Sequence, residues 1–262
     1  MNLPMPATMG ADTVPRVRSD ASVGAVCYVW AGRCLPWCGA VAGVAAAIGL
    51  VAGLVVAPQD FLQGDAYRIV FVHVPAVSMS MLLYAALVVC ALGAALRPAG
   101  LAAMAARALA PSGALMTFLA LWTGSLWARP VRGLWWVWDA RFAAEMLLLA
   151  VFVAVVALQA SGSDARRADR AGALLAIGAL VPLALLPLWL PWLASGDALH
   201  GAAGLGASPP PPRAAAVRWG LVCMVTAFLA WTLAVVAHRL RSVLLEHEHE
   251  ADWVRQLSEA RR

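Results

Sequence analysis

A cluster of tryptophans that ends in an acidic residue is the part of the sequence best suited to hold a ligand. Trp127, Trp135, Trp136 and Trp138 fall within about a dozen residues, and Asp139 follows directly. Each indole offers a flat, polarizable, apolar face and keeps one N–H donor at its polar edge. The cluster therefore predicts a platform for a large, planar, mainly apolar ligand with polar substituents.

Haem has the shape and polarity that such a platform would accept. Arg129, Arg132 and Arg141 are close enough in sequence to contact its propionates. The alternative for these arginines is that they reach from helix ends to water. The alternative for the indoles is an aromatic belt at a membrane surface, although belts place single aromatic residues at helix ends rather than three within four positions.

Two histidines are candidates for the ligands of a haem iron. His73 stands in Val72-His73-Val74-Pro75 at the start of an apolar segment, and His200 stands in Leu199-His200-Gly201 before the last apolar segment. A single histidine at such a position is usually a partly buried polar group. Taken together, the two imidazoles could supply both axial ligands of one iron.

The sequence lacks the motifs of several other functions. The sequence contains no lysine and no P-loop, so ATP hydrolysis by this chain is not expected. It has no C-x-x-C-H motif for covalent haem attachment, and Cys34 and Cys38 lack companion ligands for a metal.

Arg141 and Glu145 are spaced i,i+4 and are predicted to pair on one helix face. Glu145 lies inside a predicted span, where an ionisable group is also a functional candidate.

The elements that must position these residues are membrane helices. Hydrophobic residues make up 63% of the chain and charged residues 13%, whereas soluble domains are roughly half apolar and a quarter charged. A helix needs about 20 mainly apolar residues to cross a bilayer. The sequence predicts an all-α, polytopic membrane protein whose six transmembrane helices span residues 38–57, 70–96, 108–128, 140–160, 171–194 and 219–240.

The distribution of arginine predicts the orientation. An even number of spans places both termini on one side of the membrane, and most of the 19 basic residues fall on that side. The opposite side carries Arg68, Arg129, Arg132, Arg141, Arg213 and Arg218. The positive-inside rule then makes both termini cytoplasmic and puts the tryptophan cluster and both histidines outside. The basic pI of about 9.3 is explained by this orientation signal rather than by nucleic-acid binding.

These boundaries divide the chain into three parts. Residues 1–37 are predicted to form a cytoplasmic N-terminal extension. Residues 38–241 form the membrane domain, with the tryptophan loop at 129–141 facing the periplasm. Residues 242–262 form a cytoplasmic tail, in which His247 and His249 alternate with glutamates as in a solvated segment.

Two parts of the sequence resemble one family. The stretch Trp-Trp-Val-Trp-Asp-Ala-Arg at 135–141 resembles the WWD signature of haem-handling proteins in cytochrome c maturation. The segments 58–69 and 72–81, with His-Val-Pro at 73–75, resemble the first outer loop and second span of the heme exporter protein C (CcmC) family. The resemblance covers residues 38 to about 245.

The resemblance implies a function in the bacterial inner membrane. It implies that His73 and His200 ligate the iron of a transiently bound haem b. The residues of the tryptophan cluster and its surroundings are predicted to supply further contacts: Trp127, Trp135, Trp136, Trp138, Asp139 and Arg132. The resemblance implies delivery of haem to a periplasmic haem chaperone during c-type cytochrome maturation. The implied partners are an ABC-type ATPase with its membrane subunit and a small single-span accessory protein.

The sequence departs from the family pattern at two places and leaves two alternative functions. Arg132 stands where the family usually has tryptophan, and the tryptophan spacing before His200 is altered. One alternative is a membrane subunit of an ABC exporter, which the short predicted cytoplasmic loops disfavour. The other is a haem lyase that acts directly on apocytochrome.

Overall fold

The computed structural model of the chain is built from helices. It describes residues 23–60, 63–96, 100–136, 138–161, 164–183 and 211–259, and no strand is formed among them. The helices are α1 (Val23–Leu50), α2 (Val70–Leu96), α3 (Leu101–Arg132), α4 (Ala140–Ser161), α5 (Ala165–Gly178), α6 (Pro211–His247) and α7 (Asp252–Glu259). A π-helical segment, Val51–Val56, continues α1, and a 3-10 helix, Asp65–Ile69, precedes α2.

Within the described ranges, five helical segments are long and apolar enough to cross a membrane. They are Val23–Val56, Asp65–Leu96, Leu101–Arg132, Arg141–Ser161 and Ala215–His247. The protein is therefore an all-α, multi-pass membrane protein, as the composition predicts. The predicted fifth span, 171–194, lies partly outside the described residues, and α5 covers its beginning.

Four helices, α1, α3, α5 and α6, extend beyond the spans predicted from hydropathy. α1 begins at Val23, inside the predicted extension 1–37, and continues through Pro36. α3 continues through Pro130 to Arg132, so the first residues of the predicted loop 129–141 are helical. Hydropathy marks the apolar window of a helix, whereas the helix itself continues through polar residues until a residue such as Gly133 ends it.

The core lies between α2, α3, α4 and α5. Leu87 of α2, Met116 of α3 and Phe152 of α4 are buried in one cluster that also includes Ala176 of α5. Gly113 allows α3 and α4 to approach closely, because a Cβ at this position would collide with the ring of Phe152. This close packing fixes α3 relative to its neighbours and thereby sets the position of the residues at its C-terminal end.

The remaining long helices, α1 and α6, pack on each other. The side chain of Met224 on α6 lies directly over Gly49 of α1, and the carboxylate of Glu248, just after α6, lies over Gly24. The two helices are therefore antiparallel. The start of α1, the start of α3 and the end of α6 meet at one end of the bundle, where Tyr28, Met104 and Leu244 form a second buried cluster. This end is called the base.

A candidate ligand site at the tryptophan end

The opposite end of the bundle carries the tryptophan loop, residues 133–139, and is called the tryptophan end. Gly133 ends α3 in the left-handed conformation, with φ of 76°, which glycine adopts without steric cost. Its N–H donates to the carbonyl oxygen of Arg129 at 3.0 Å. The guanidinium of Arg129 in turn donates to the carbonyl oxygen of Gly133 at 2.6 Å. The loop therefore leaves α3 at a fixed angle.

Asp139 connects the end of the loop to two helices. Its Oδ1 accepts hydrogen bonds from the backbone N–H groups of Arg141 at 3.0 Å and Phe142 at 2.9 Å, so it caps the N-terminus of α4. Its Oδ2 lies 3.6 Å from Nη1 of Arg132 on α3. Both side chains are largely buried, with 1% of Asp139 and 8% of Arg132 exposed. The aspartate of the signature thus holds the loop between α3 and α4.

The indoles divide into exposed and inserted groups. Trp135 and Trp138 are 58% and 57% exposed, and Leu134 beside them is also exposed. Trp136 points inward, with its ring centroid 4.9 Å from that of Phe142 and 5.4 Å from that of Trp138. Its buried Nε1–H has no hydrogen-bond partner among the described residues. The loop therefore offers two apolar faces and one unused donor.

Trp127 lies on α3, before the loop. Its Nε1–H donates to Oε1 of Gln63 at 2.7 Å, which joins α3 to the segment before α2. The guanidinium of Arg132 lies over the Trp127 ring, with its Cζ 5.5 Å from the ring centroid. The same segment before α2 is tied to the end of α1, because Arg68 donates to the carbonyl oxygens of Gly53 and Leu54.

His73 lies on the first turn of α2 and faces α3. Its Nδ1 is 2.9 Å from Oγ1 of Thr123. The next residue, Gly124, lies between two rings: a Cβ there would be 3.3 Å from Cε1 of His73 and 3.0 Å from Cζ of Phe142. Phe142 also contacts Trp136. Gly124 therefore lies between the imidazole of His73 and the ring of Phe142, which in turn contacts the tryptophan loop.

The structure brings together most of the residues singled out from the sequence. His73, Trp127, Arg132, Trp135, Trp136, Trp138 and Asp139 all lie at the tryptophan end. His200 lies outside the described residues. Sequence reasoning missed Gln63, Thr123, Gly124 and Phe142. Helical spacing was the only available signal, because Thr123 lies one turn before Trp127 on the same helix.

The predicted pair between Arg141 and Glu145 is not formed. Glu145 instead lies 3.1 and 3.2 Å, through its two carboxyl oxygens, from the buried hydroxyl of Ser80 on α2. Arg141 is exposed at the start of α4. The i,i+4 spacing permits a pair on one helix, but α4 turns Glu145 toward α2, where a buried hydrogen-bond partner is available.

Comparison with known proteins matches most of the sequence to one family. The model of the family described as Heme exporter protein C matches residues 19–255. This chain belongs to the heme exporter protein C family. Heme exporter protein C of Escherichia coli is 35% identical over 231 residues, which cover 88% of this chain and 91% of the relative. The Haemophilus influenzae protein of the same name is 34% identical over 212 residues, covering 81% and 85%.

A more distant relative has a name that refers to a process. A ccmC-like mitochondrial protein of Marchantia polymorpha, named for cytochrome c biosynthesis, is 36% identical over 118 residues, covering 45% of this chain and 52% of the relative. The range matched to heme exporter protein C includes His73, the tryptophan loop and His200. The family match therefore spans both the described site and the position of the second histidine.

Proposed function

We propose that this protein binds haem at the tryptophan end and passes it to a periplasmic haem chaperone during the maturation of c-type cytochromes. One observation carries the proposal: the exposed indole of Trp138 contacts Trp136, Trp136 contacts Phe142, and Phe142 and the imidazole of His73 both lie against Gly124. An exposed apolar surface next to a potential iron ligand suits a planar metalloporphyrin. Membership of a family named for heme export supports the same cargo.

The chemistry of the loop fits the two kinds of surface that haem presents. The apolar porphyrin faces would cover the indoles of Trp135 and Trp138, which are otherwise more than half exposed. The unused N–H donor of Trp136 suits a polar substituent at the edge of the ring. His73 supplies an imidazole, a common axial ligand of haem iron.

We assign the second axial ligand to His200. It precedes α6, whose residues Val217 and Leu221 pack against the cluster that contains Phe71. Phe71 is two residues before His73 on the chain. The first turns of α6, which follows His200 in the sequence, therefore lie at the same end of the bundle as the first ligand.

The arginines and Asp139 divide the remaining roles. Arg132 and Asp139 contact each other and hold the loop, which leaves little of either side chain for a ligand. Arg129 and Arg141 are exposed, and the Cζ of Arg129 lies 5.8 Å from the ring centroid of Trp135. We infer that Arg129 and Arg141 are the better partners for haem propionates. Direct contacts of haem with Arg132, Asp139 and Trp127 stay predictions from the sequence.

The proposed function includes a location and partners. The arginine distribution supports a bacterial inner-membrane orientation with cytoplasmic termini and a periplasmic tryptophan end. Release to a chaperone requires haem b to be held transiently at a surface, and Trp135 and Trp138 lie at such a surface. Because the chain has no lysine and hence no P-loop, an ABC-type ATPase with its membrane subunit would hydrolyse ATP, alongside a single-span accessory protein.

The test is the absorption spectrum of the full-length protein purified in detergent after coexpression with the chaperone. The wild-type protein should retain a haem Soret band, and His73→Ala and His200→Ala should each lose most of it. His249→Ala is the matched control, because His249 is exposed at the base and lies far from the proposed site. Wild-type protein that carries no haem under these conditions would refute the function, whereas a haem-replete His200→Ala variant would refute only the second ligand.

A further inference from the structure

The hydroxyl of Thr123 bridges its own helix and the imidazole of His73. Oγ1 lies 2.7 Å from the carbonyl oxygen of Leu119 and 3.2 Å from that of Ala120, both one turn earlier on α3. The same oxygen lies 2.9 Å from Nδ1 of His73. Thr123 is buried, so water does not compete for these contacts.

A hydroxyl has one hydrogen to donate, and its direction determines the state of the imidazole. The shortest contact of Oγ1 is with the Leu119 carbonyl, which can only accept. With this hydrogen donated to the Leu119 carbonyl, the Thr123 oxygen presents a lone pair to His73. The tautomer of His73 that matches this arrangement carries its proton on Nδ1 and donates a hydrogen bond to Thr123. The remaining lone pair of the neutral imidazole is on Nε2.

We propose that Thr123 is the positioning residue that selects the Nδ1–H tautomer of His73 and orients its Nε2 for the iron, an inference that rests on the proposed function. Histidines that bind metals almost always donate the other ring N–H to an acceptor, which fixes the ring and makes it a stronger ligand. Here the acceptor is a threonine hydroxyl whose own hydrogen is engaged within the helix.

Gly124 completes the support of the ring from the same helix. A methyl group at this position would lie 3.3 Å from Cε1 of His73 and 3.0 Å from Cζ of Phe142, closer than most Cβ contacts. The adjacent residues Thr123 and Gly124 thus act differently on His73. Thr123 sets the tautomer and the rotation of the ring, and Gly124 provides the space in which the ring lies.

The experiment compares three variants of the full-length protein purified with haem. Thr123→Val keeps the branched shape and removes the acceptor. Thr123→Ser restores a hydroxyl at the same place. Thr117→Val is the matched control, because buried Thr117 on α3 makes the same hydrogen bond, 2.7 Å to the carbonyl oxygen of Gly113, without any contact with His73.

Two properties of the bound haem are measured: its rate of transfer to excess apomyoglobin and its midpoint reduction potential. Thr123→Val should release haem about ten-fold or more faster, the usual scale for loss of such a supporting hydrogen bond. Its potential should shift to a more positive value, because an imidazole without this bond donates less electron density to the iron. Thr123→Ser should behave as the wild type, and so should Thr117→Val.

The outcomes separate this inference from the proposed function. If His73→Ala loses haem while Thr123→Val matches the wild type in both rate and potential, the role of Thr123 is refuted and haem binding stands. If Thr117→Val changes haem release as much as Thr123→Val, the effect comes from α3 in general and the inference is wrong. If His73→Ala retains its haem unchanged, the ligand assignment on which the inference depends fails first.

Discussion

At the base of the bundle, several charged and aromatic side chains pair with one another, whereas two indoles of the tryptophan loop stay exposed. Arg107 of α3 donates to Asp169 of α5 at 2.6 Å, and the Cζ of Arg241 lies 4.3 Å from the ring centroid of Tyr28. Trp253 of α7 packs on Tyr28 and donates its Nε1–H to Glu248. These contacts stabilise the packing of α1, α3, α5, α6 and α7 against one another at the base.

The tryptophan end uses similar residue types with a different result. Arg132 and Asp139 pair there, but the pair supports a loop whose Trp135 and Trp138 rings lack full packing. Polar and aromatic residues that satisfy each other indicate stability, and those left exposed on a rigid support indicate a partner or ligand. Substitutions at the base should therefore change stability, and those in the exposed part of the loop should change haem retention.

The largest expected effect is on stability at the base. Arg107→Met removes the partner of Asp169, whose side chain is only 3% exposed, and the contacts of Arg107 with the carbonyl oxygens of Gln159 and Ala165. Leaving a buried charge without its partner should lower the free energy of unfolding by about 3–5 kcal/mol. Thermal unfolding in detergent measures this change.

The control for Arg107→Met is Arg166→Met, which removes an exposed arginine from α5 and should change stability by less than about 0.5 kcal/mol. The haem content of the folded fraction should be the same in both variants. A loss of haem from folded Arg107→Met protein would contradict the separation between the two ends.

The second-largest effect is expected on haem binding and not on stability. Changing both Trp135 and Trp138 to alanine should leave unfolding nearly unchanged, since both rings are more than half exposed. Loss of two aromatic contacts should weaken haem binding by about 2 kcal/mol or more, roughly 30-fold. Trp122→Ala is the matched control, because Trp122 is 54% exposed on α3 outside the loop. Equal haem loss from the control would count against a specific platform.

A smaller effect on stability is expected at Asp139, which stabilises α4 and also holds the tryptophan loop. Asp139→Ala removes both the cap of α4 and the partner of Arg132, and should lower stability by about 2 kcal/mol. This is less than for Arg107→Met, because the Arg132–Asp139 distance is 3.6 Å rather than 2.6 Å and Arg132 keeps its contact with the Trp127 ring. Asp139→Asn keeps a capping oxygen and should lower it by less. Hydrogen exchange of the first turn of α4 distinguishes the variants, since only the alanine should increase it. Equal exchange in both would mean that the cap is unimportant.

The smallest expected change is at the end of α3. Gly133→Ala forces a side chain into the left-handed conformation and should cost about 1 kcal/mol of stability. Gly178→Ala, at a helical glycine of α5 with open space around it, should be neutral or slightly stabilising. Thermal unfolding of the two variants gives the comparison. A Gly133→Ala protein as stable as the wild type would show that the loop is not held at this residue.

The sequence predicts helices better than it predicts their contacts. The second predicted span, 70–96, coincides with α2, and the fourth, 140–160, nearly coincides with α4, because sharp changes in polarity flank both segments. The structure differs from the sequence prediction at the start of α1 and the end of α3, because both helices continue through polar residues and prolines that lie outside the apolar windows. Helix ends depend on backbone conformation, such as the left-handed conformation of Gly133 after α3, and hydropathy does not report it.

In the candidate site, too, the sequence identifies some residues but not the contacts between them. His73 and the indoles have side chains whose chemistry identifies them in any sequence. Thr123 and Gly124 are common residues that no sequence pattern marks as functional. Their role depends on which face of α3 packs against α2. Glu145 could have paired with Arg141 on its own helix or with a residue of α2. Only the packing of α4 against α2 determines that its partner is Ser80.

The last turns of α3 make three separate contacts from one continuous helix. Thr123 reaches His73, Trp127 reaches Gln63, and Arg132 reaches Asp139. Each added residue would advance the helix by about 1.5 Å and rotate it by roughly 100°. One inserted or deleted residue just after Thr123 would therefore displace Trp127 and Arg132 together, whereas a substitution removes one contact at a time. As related chains diverge, this segment should accept changes in composition far more readily than changes in length.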